Sequence, residues 1–293
     1  MDRADRPDTL KFLGTAGARF VVSTQLRHSG GLVWTLRGVR IWVDPGPGAL
    51  VRALASRPRV DPATVDAVVV THRHLDHAGD ATAIAEAVTG GGFKRRGTLL
   101  APRDALEDEP AVQRYAQAFF ARRELLAEGS RHELGPGVVL ETPVAHDHGV
   151  ETYGYRLSAP GFSAAHVVDT AWLDRLPEAY AGVDLLIVNM TFVDRDPRVR
   201  HLCAEDAERL VAAIRPRLAV LTHLGMMVIR AGPERIALGV SERTGIPTVA
   251  ARDGWLLSLE PTRLGAQHRG VAPQHRGVAP SGATPSGEPP NSR

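Results

Sequence analysis

Short apolar runs separated by polar turns recur along most of the chain, and many of them are rich in β-branched residues. Runs of this kind, bounded by Gly, Pro, Asp or Asn, are typical of buried β-strands. The pattern predicts strands at 10–15, 19–24, 31–36, 39–46, 66–71, 97–102, 137–146, 152–160, 162–170, 184–192, 218–223, 247–251 and 254–260. The first four follow one another across short turns, which indicates a meander at the start of the fold.

Helical periodicity is present between many of these runs. It predicts helices at 48–57, 78–88, 111–127, 204–215 and 233–245. The helix at 204–215 is the clearest case, because Ala207, Leu210, Val211 and Ile214 fall on one apolar face. A meander of strands followed by interleaved helices predicts two mixed sheets with helices packed outside them, an αββα sandwich of the α/β (α+β) class.

The predicted domain covers residues 10–262, since no linker composition interrupts it, and residues 1–9 form a short N-terminal extension. The remaining residues, 263–293, repeat the heptad QHRGVAP and then consist largely of Pro, Gly and Ser. Such a segment has too few apolar residues to offset the entropy of ordering, so we expect a disordered tail.

Composition excludes several classes of function. Residues 261–293 contain four arginines and one glutamate, a net +3, so the total of +2 leaves about −1 for residues 1–260 and no general field for nucleic acid. The single cysteine, Cys203, excludes a disulfide framework and a multi-cysteine zinc site. The charged N-terminus lacks a secretory signal and no apolar run reaches bilayer length, so we expect a cytoplasmic protein without membrane contact.

The most specific local signal is the stretch VVVTHRHLDHAGD at 68–80, where a predicted strand leads into His72, His74, Asp76 and His77. His72 and His74 are two residues apart and project the same way from extended backbone, so they could hold one ion. Asp76 and His77 point elsewhere and would serve a second ion. Imidazole and carboxylate suit zinc, and also manganese or iron.

Further candidate ligands follow other apolar strands. His146 and His148 come after one of them, Asp169 ends the next, with His166 three residues earlier, and His223 ends a third. Ligands in α/β proteins gather at the carboxyl ends of strands, which makes these positions candidates for the same site. The residues alone do not separate His146 from His148.

The motif H-x-H-x-D-H followed by later His, Asp and His resembles the metallo-β-lactamase-fold hydrolases, as do the segments FLGTAGA and VDPGPG. Within them, HGVETYGYRL is similar to the ribonuclease Z and small phosphodiesterase branch, although Asn189 stands where that branch usually has a glutamate. The resemblance covers nearly all of residues 10–260 and selects His148 over His146. It implies a first ion on His72, His74 and His148, a second on Asp76, His77 and His223, and Asp169 bridging both.

Two dications about 3.5–4 Å apart hold a hydroxide between them, which is a nucleophile at neutral pH. The expected protein is therefore a dinuclear, zinc-dependent hydrolase, with Mn²⁺ or Fe²⁺ as other possible metals and Asp76 essential to catalysis. By the same resemblance, His201 is the candidate for protonating the leaving group. Asp44 is expected to hydrogen-bond a ligand imidazole or the backbone of the metal loop.

Phosphodiester hydrolysis is the first expectation. The alternatives are hydrolysis of a carbonyl substrate, such as a lactone, thioester or β-lactam, on the same centre, and a metal-binding protein without catalysis. The expected partner is a small anionic or ester-type substrate; nucleic acid is weakly supported, and a homodimer is possible.

Overall fold

The computed structural model describes residues 6–260 and Leu264, and these form two β-sheets packed face to face with helices on the outer faces. This is the predicted αββα sandwich, which is thus confirmed. The predicted tail, 263–293, lies outside the described residues except for Leu264, which is buried in the core between the sheets. No helix within the described part of the chain is both long and apolar enough to cross a membrane.

The first half of the chain builds most of the first sheet and its helical layer. Its strands are β1 (Thr9–Phe12), β2 (Leu32–Leu36), β3 (Val39–Val43), β4 (Ala67–Val69), β5 (Thr98–Ala101) and β6 (Arg122–Leu125). Its helices are α1 (Ala18–Thr24), α2 (Ala49–Ala55), α3 (Leu75–Ala78), α4 (Ala81–Thr89) and α5 (Arg114–Gln117), with a 3₁₀ turn at Pro62–Thr64 and a π-helical turn at Asp104–Asp108.

The second half builds the second sheet. Its strands are β7 (Ser130–Gly135), β8 (Val138–Thr142), β9 (Tyr155–Ala159), β10 (Phe162–Val167), β11 (Leu185–Phe192), β12 (Leu202–Cys203), β13 (Leu218–Thr222) and β14 (Thr248–Ala250). Its helices are α6 (Leu176–Ala179), α7 (Ala204–Ile214), α8 (Met226–Ala231) and α9 (Pro233–Thr244). The last strand, β15 (Leu256–Ser258), returns to the first sheet and pairs with β1.

Strand order explains how distant segments meet. The first sheet runs β15-β1-β2-β3-β4-β5-β6 and the second β14-β13-β11-β10-β9-β8-β7, with β12 beside β11. Strands β3 to β6 are parallel to one another, as are β10, β11, β13 and β14. The carboxyl ends of neighbouring parallel strands lie at one edge of a sheet, so the residues that follow β10, β11 and β13 meet there.

Three apolar layers hold the sandwich together. The central one lies between the sheets and contains Trp34, Tyr155 and Leu157, all essentially without solvent exposure. A second layer joins the second sheet to α7 and α9, and a third joins the first sheet to α2 and α4. Strand β11 is buried along almost its whole length, which explains why its sequence is a continuous apolar run rather than an alternating one.

Two predicted elements are wrong. Residues 19–24 form helix α1 instead of a strand, because Val21 and Val22 pack on one side against Met226 and Ile229, and this contact outweighs the small propensity difference of β-branched residues. The predicted helix at 111–127 is one helical turn, α5, followed by strand β6. Arg122–Leu125 supplies a second parallel partner for β5, whose edge away from β4 would otherwise be unpaired.

Candidate metal centre

The histidine loop connects β4 to α3. The strand ends at Val69, the buried residues Val70 and Thr71 follow, and His72 is completely buried. Helix α3 begins at Leu75, three residues earlier than the predicted start near Ala78, so Asp76 and His77 lie in its first turn. The backbone is extended at His74 and helical from Leu75 onward. The pair His72 and His74 therefore points in a different direction from the pair Asp76 and His77.

The structure brings the later candidates to this loop. Asp169 follows β10, His223 follows β13, and His148 lies in the segment between β8 and β9. We call the seven residues that meet here the His/Asp cluster: His72, His74, Asp76, His77, His148, Asp169 and His223. His146 is not part of it. Its Nε2 is instead 2.8 Å from the Tyr180 hydroxyl, and burial lowers its pKa to about 3.

The first half of the His/Asp cluster contains three histidines. His74 Nδ1 lies 3.0 Å from His148 Nε2, and the rings of His72 and His74 are 4.8 Å apart. His72 Nε2 is buried and has no hydrogen-bond partner. Their candidate ligand atoms all lie within 4.8 Å of one another, so these three side chains could hold a single ion between them.

The second half contains Asp76, His77 and His223. His77 Nε2 lies 3.1 Å from His223 Nε2, and Asp76 Oδ2 lies 3.4 Å from the same His223 nitrogen. These three ligand atoms also fall within 4.8 Å of one another. A second ion would therefore have two imidazoles and one carboxylate.

Asp169 lies between the two halves. Its Oδ2 is 3.5 Å from His148 Nε2, 3.4 Å from His77 Nε2 and 4.0 Å from His72 Nε2. The side chain is almost completely buried. Burial alone would raise the pKa of Asp169, but the surrounding histidines lower it well below its ordinary value, so the carboxylate is charged. This position is suited to a carboxylate shared by two ions.

Hydrogen bonds from outside the cluster orient its rings. His77 Nδ1 is 2.9 Å from Asp44 Oδ2, and His148 Nδ1 is 2.9 Å from the Arg200 carbonyl. A carboxylate and a carbonyl only accept hydrogen bonds, so each Nδ1 carries a proton, and Nε2 is the nitrogen left to face the cluster. Asp44 also accepts from the Thr71 backbone and hydroxyl, both at 2.7 Å, so it fulfils both parts of the expectation from sequence.

The donor set fits divalent metal. Two pairs of imidazole nitrogens, His74 with His148 and His77 with His223, lie 3.0 and 3.1 Å apart, and a cation can replace the proton that each pair would otherwise share. The orphaned Nε2 of His72 gives the same indication, since a buried polar atom without a partner is costly. Five imidazoles and two carboxylates are the ligand types that zinc prefers, and they also accept manganese or iron.

His201 lies directly beside the His/Asp cluster. Its Nδ1 is 3.7 Å from Asp169 Oδ2 and 3.3 Å from the Thr191 hydroxyl, and its ring is 4.8 Å from that of His148. Burial is the main cause that lowers its pKa, to about 4, so the free imidazole is neutral at pH 7. The segment after β11 thus places an imidazole where a substrate at the cluster would meet it.

Sequence reasoning missed several residues that orient the site. The Thr191 hydroxyl is 2.9 Å from His223 Nδ1 and 3.3 Å from His201 Nδ1, so it links a candidate ligand with the candidate acid. Gly17 lies so close to His223 that a Cβ at residue 17 would be 2.6 Å from its Nδ1. The usable signal was position: Thr191 ends β11, the strand between those that lead to Asp169 and His223.

Comparisons with known proteins match most of the chain to the same superfamily and fold. Residues 39–224 match a family model described as a beta-lactamase superfamily domain. An uncharacterised protein of Methanocaldococcus jannaschii is 31% identical over 254 residues, 85% of this chain and 94% of that protein. Ribonuclease Z of Methanopyrus kandleri is 26% identical over 295 residues, 86% of this chain and 98% of that enzyme. The metallo-β-lactamase fold protein YhfI from Bacillus subtilis superposes with a TM-score of 0.72 at 17% identity, covering 86% of this chain and 99% of YhfI.

Proposed function

The chain belongs to the beta-lactamase superfamily and is a metal-dependent hydrolase, and from this premise we propose that it hydrolyses a phosphodiester at a dinuclear zinc centre. The single observation that carries the proposal is the convergence of the His/Asp cluster on Asp169 Oδ2. His72, His74 and His148 would hold one ion; Asp76, His77 and His223 would hold the other; and Asp169 would be shared. When bound, the ions supply Lewis acidity and a nucleophile derived from water at neutral pH.

The charge balance favours an anionic substrate. The cluster contributes two carboxylates, Asp76 and Asp169, which do not neutralise two divalent ions. A phosphodiester oxygen bears the charge that such a centre attracts, whereas a neutral ester does not.

His201 would deliver the proton to the leaving oxygen. Its ring lies beside His148 and Asp169, and the Thr191 hydroxyl fixes its Nδ1. The imidazolium form of His201 would give its proton to the leaving alkoxide and return to the neutral ring, and the anionic phosphodiester beside it favours that charged form. General-acid catalysis of this kind contributes about 10²–10⁴-fold to the rate.

Exposed apolar side chains border the cluster and offer contact to the non-reacting part of the substrate. Phe20 on α1 is 77% exposed, Leu75 between His74 and Asp76 is 71% exposed, and Met227 on α8 is 58% exposed. Helix α1 packs against both α3 and α8, so the three elements share this border. An ester with an aromatic substituent suits this apolar border.

The ribonuclease Z name of the Methanopyrus kandleri relative supports phosphodiester chemistry. The net charge of about −1 on residues 1–260 favours a small ester over a long nucleic acid as the substrate.

The test is hydrolysis of bis(p-nitrophenyl) phosphate by protein of measured metal content. Protein freed of metal by a chelator should be inactive. Its activity should recover when Zn²⁺, Mn²⁺ or Fe²⁺ is added, and the activity recovered with each ion compares the three metals. We expect Asp76→Ala to reduce turnover to background. His201→Ala should lower kcat by about 10²–10⁴-fold on a phosphodiester with an alkoxide leaving group, and much less on bis(p-nitrophenyl) phosphate, whose nitrophenolate leaves without a proton, while the ions remain bound. His132→Ala is the matched control, since His132 pairs with Glu124 on β6 of the first sheet and should leave turnover unchanged.

Two results would overturn the proposal. Turnover that survives Asp76→Ala would remove the cluster from the chemistry. Hydrolysis of a lactone, thioester or β-lactam, without any hydrolysis of phosphodiesters, would keep the centre but replace the substrate class.

A further inference from the structure

Four buried side chains form a linear hydrogen-bond network that ends on Asp169. Trp34 Nε1 lies 2.9 Å from the Tyr155 hydroxyl, which lies 3.3 Å from His166 Nδ1. His166 Nε2 lies 2.8 Å from Asn189 Oδ1, and Asn189 Nδ2 lies 2.8 Å from Asp169 Oδ1. Each member is at most 3% exposed, and the network runs from β2 in the first sheet through β9, β10 and β11 in the second.

Both ends of the linear network impose the same direction on its hydrogen bonds. Indole only donates, so the Tyr155 oxygen accepts from Trp34, and its own proton goes to His166 Nδ1. At the other end a carboxylate only accepts, so Asn189 must turn its amide NH₂ to Asp169 and its carbonyl to His166. The two requirements agree only when His166 carries its proton on Nε2.

The two oxygens of Asp169 therefore have different surroundings. Oδ1 accepts from Asn189 and lies 3.3 Å from His223 Nδ1, the nitrogen that Thr191 also contacts. Oδ2 faces the Nε2 atoms of the His/Asp cluster, at 3.4 Å from His77 and 3.5 Å from His148. Asn189 holds this arrangement because its NH₂ donates to Asp169, whereas an ionised aspartate, which has the same length, would repel Asp169 from position 189.

We propose that Asn189, oriented by Trp34, Tyr155 and His166, is a positioning residue that occupies Asp169 Oδ1 and so presents Oδ2 alone to the ions. The inference rests on the proposed metal-binding role of Asp169. Residues that orient metal ligands in this way typically affect metal affinity by about 10–100-fold when substituted.

The first test measures metal binding without substrate, by competition with a chromophoric chelator and by the visible spectrum of the Co²⁺-loaded protein. Asn189→Asp replaces the donor by an acceptor of the same shape, and it should weaken affinity by about 10–100-fold and alter the Co²⁺ spectrum. Tyr155→Phe removes the donor to His166 Nδ1, so the tautomer of His166 is no longer fixed, and it should alter the same spectrum to a smaller extent. The matched control is Tyr180→Phe: this tyrosine is also buried and bonded to a buried histidine, His146, whose Nδ1 lies 3.3 Å from the main-chain carbonyl of Asp169 and which therefore leaves the carboxylate oxygens to the network.

Equal effects of Tyr155→Phe and Tyr180→Phe, or wild-type affinity in Asn189→Asp, would overturn the inference. Thermal unfolding of the metal-free variants is measured in parallel, because a general loss of stability would affect both tyrosine variants alike.

A second test uses the metal-free wild-type protein and does not depend on any variant. Long-range ¹H–¹⁵N correlation spectra distinguish the two neutral tautomers of an assigned histidine. The Nε2-protonated form of His166 supports the network, and the Nδ1-protonated form overturns it. The failures are distinguishable: a wild-type protein that binds no metal contradicts the proposed function, whereas normal metal binding with the wrong tautomer contradicts this inference alone.

Discussion

Asp44 connects the early strands to the histidine loop. Its carboxylate accepts hydrogen bonds from the Thr71 backbone, the Thr71 hydroxyl and His77 Nδ1. The residue has a left-handed backbone with φ of 52°, a conformation that asparagine adopts more readily than most residues. An asparagine at position 44 would therefore keep the backbone and alter only the acceptors.

Asp44→Asn should lower metal affinity by about 10–100-fold, because His77 loses its charged partner. It should also lower the free energy of unfolding of the metal-free protein by about 1–3 kcal/mol, since a buried donor is left poorly paired. Chelator competition and urea unfolding measure the two effects. Asp61→Asn is the control, because Asp61 caps the turn at Pro62–Thr64 and asparagine caps equally well; a similar loss there would contradict a specific role for Asp44.

His166 should make the metal-free protein less stable in acid. Burial lowers the pKa of His166 from 6.5 to about 4, so between these values the unfolded chain binds a proton that the folded protein does not. Stability from this residue is complete above pH 6.5 and is lost as the pH falls towards 4, by about 1.4 kcal/mol for each pH unit. Urea unfolding of chelated protein should show a shallower pH dependence in His166→Gln than in wild type; parallel profiles would contradict the assignment.

Individual site residues differ in how well the sequence predicts them. The four positions from His72 to His77 are recognisable because they form one compact motif. The choice between His146 and His148 is not settled by strand periodicity, since both precede β9 within a few residues. The structure separates them through Tyr180, which lies 34 positions beyond His146 and carries no local signal. For Thr191, the only signal is its position near the end of β11.

At the scale of elements, α7 fixes the segment that carries His201. Asp206 in its first turn accepts from the Cys203 backbone at 3.1 Å and from the Cys203 thiol at 3.2 Å, and its other oxygen pairs with Arg195. The segment from Val193 to Cys203 is thus attached at both ends to the start of one helix, and the position of His201 depends on that attachment.

Asp206→Ala should lower the free energy of unfolding by about 1–3 kcal/mol, because the Cys203 N–H loses its acceptor. It should also lower kcat for a phosphodiester with an alkoxide leaving group through displacement of His201, while the metal content stays unchanged. Glu205→Ala is the matched control, as Glu205 is the exposed neighbour in the same helical turn. Loss of metal together with kcat, or an equal effect of Glu205→Ala, would contradict this account.

Long amphipathic elements are predictable and short ones are not. The predicted helices at 204–215 and 233–245 correspond closely to Ala204–Ile214 and Pro233–Thr244, because two or more turns of periodic apolar residues leave little ambiguity. Helix α1 has two buried valines, which fit a strand equally well. Strand β7 was missed because SRHELG is largely polar: only His132 and Leu134 face the interior.

At the scale of the whole molecule, the sandwich and the family could be predicted from sequence, but the pairing of its strands could not. The pairing of β15 with β1 joins residues nearly 250 positions apart, and it depends on packing between sheets rather than on local pattern. The His/Asp cluster has the same property. His72 to His77 follow a strand of the first sheet, whereas Asp169 and His223 follow strands of the second.

Metal binding should therefore stabilise the entire sandwich. Ions held by residues from both sheets bind the folded protein and not the unfolded chain, so they add RT ln(1 + [M]/Kd), about 4 kcal/mol at a free metal concentration of 1,000 Kd. Denaturant unfolding should show a midpoint that rises with the logarithm of free Zn²⁺ and falls to a fixed value with excess chelator. In Asp169→Asn, which retains shape but loses the shared charge, the rise should be much smaller. Coincident curves with and without metal would mean that the cluster does not connect the two sheets through bound ions.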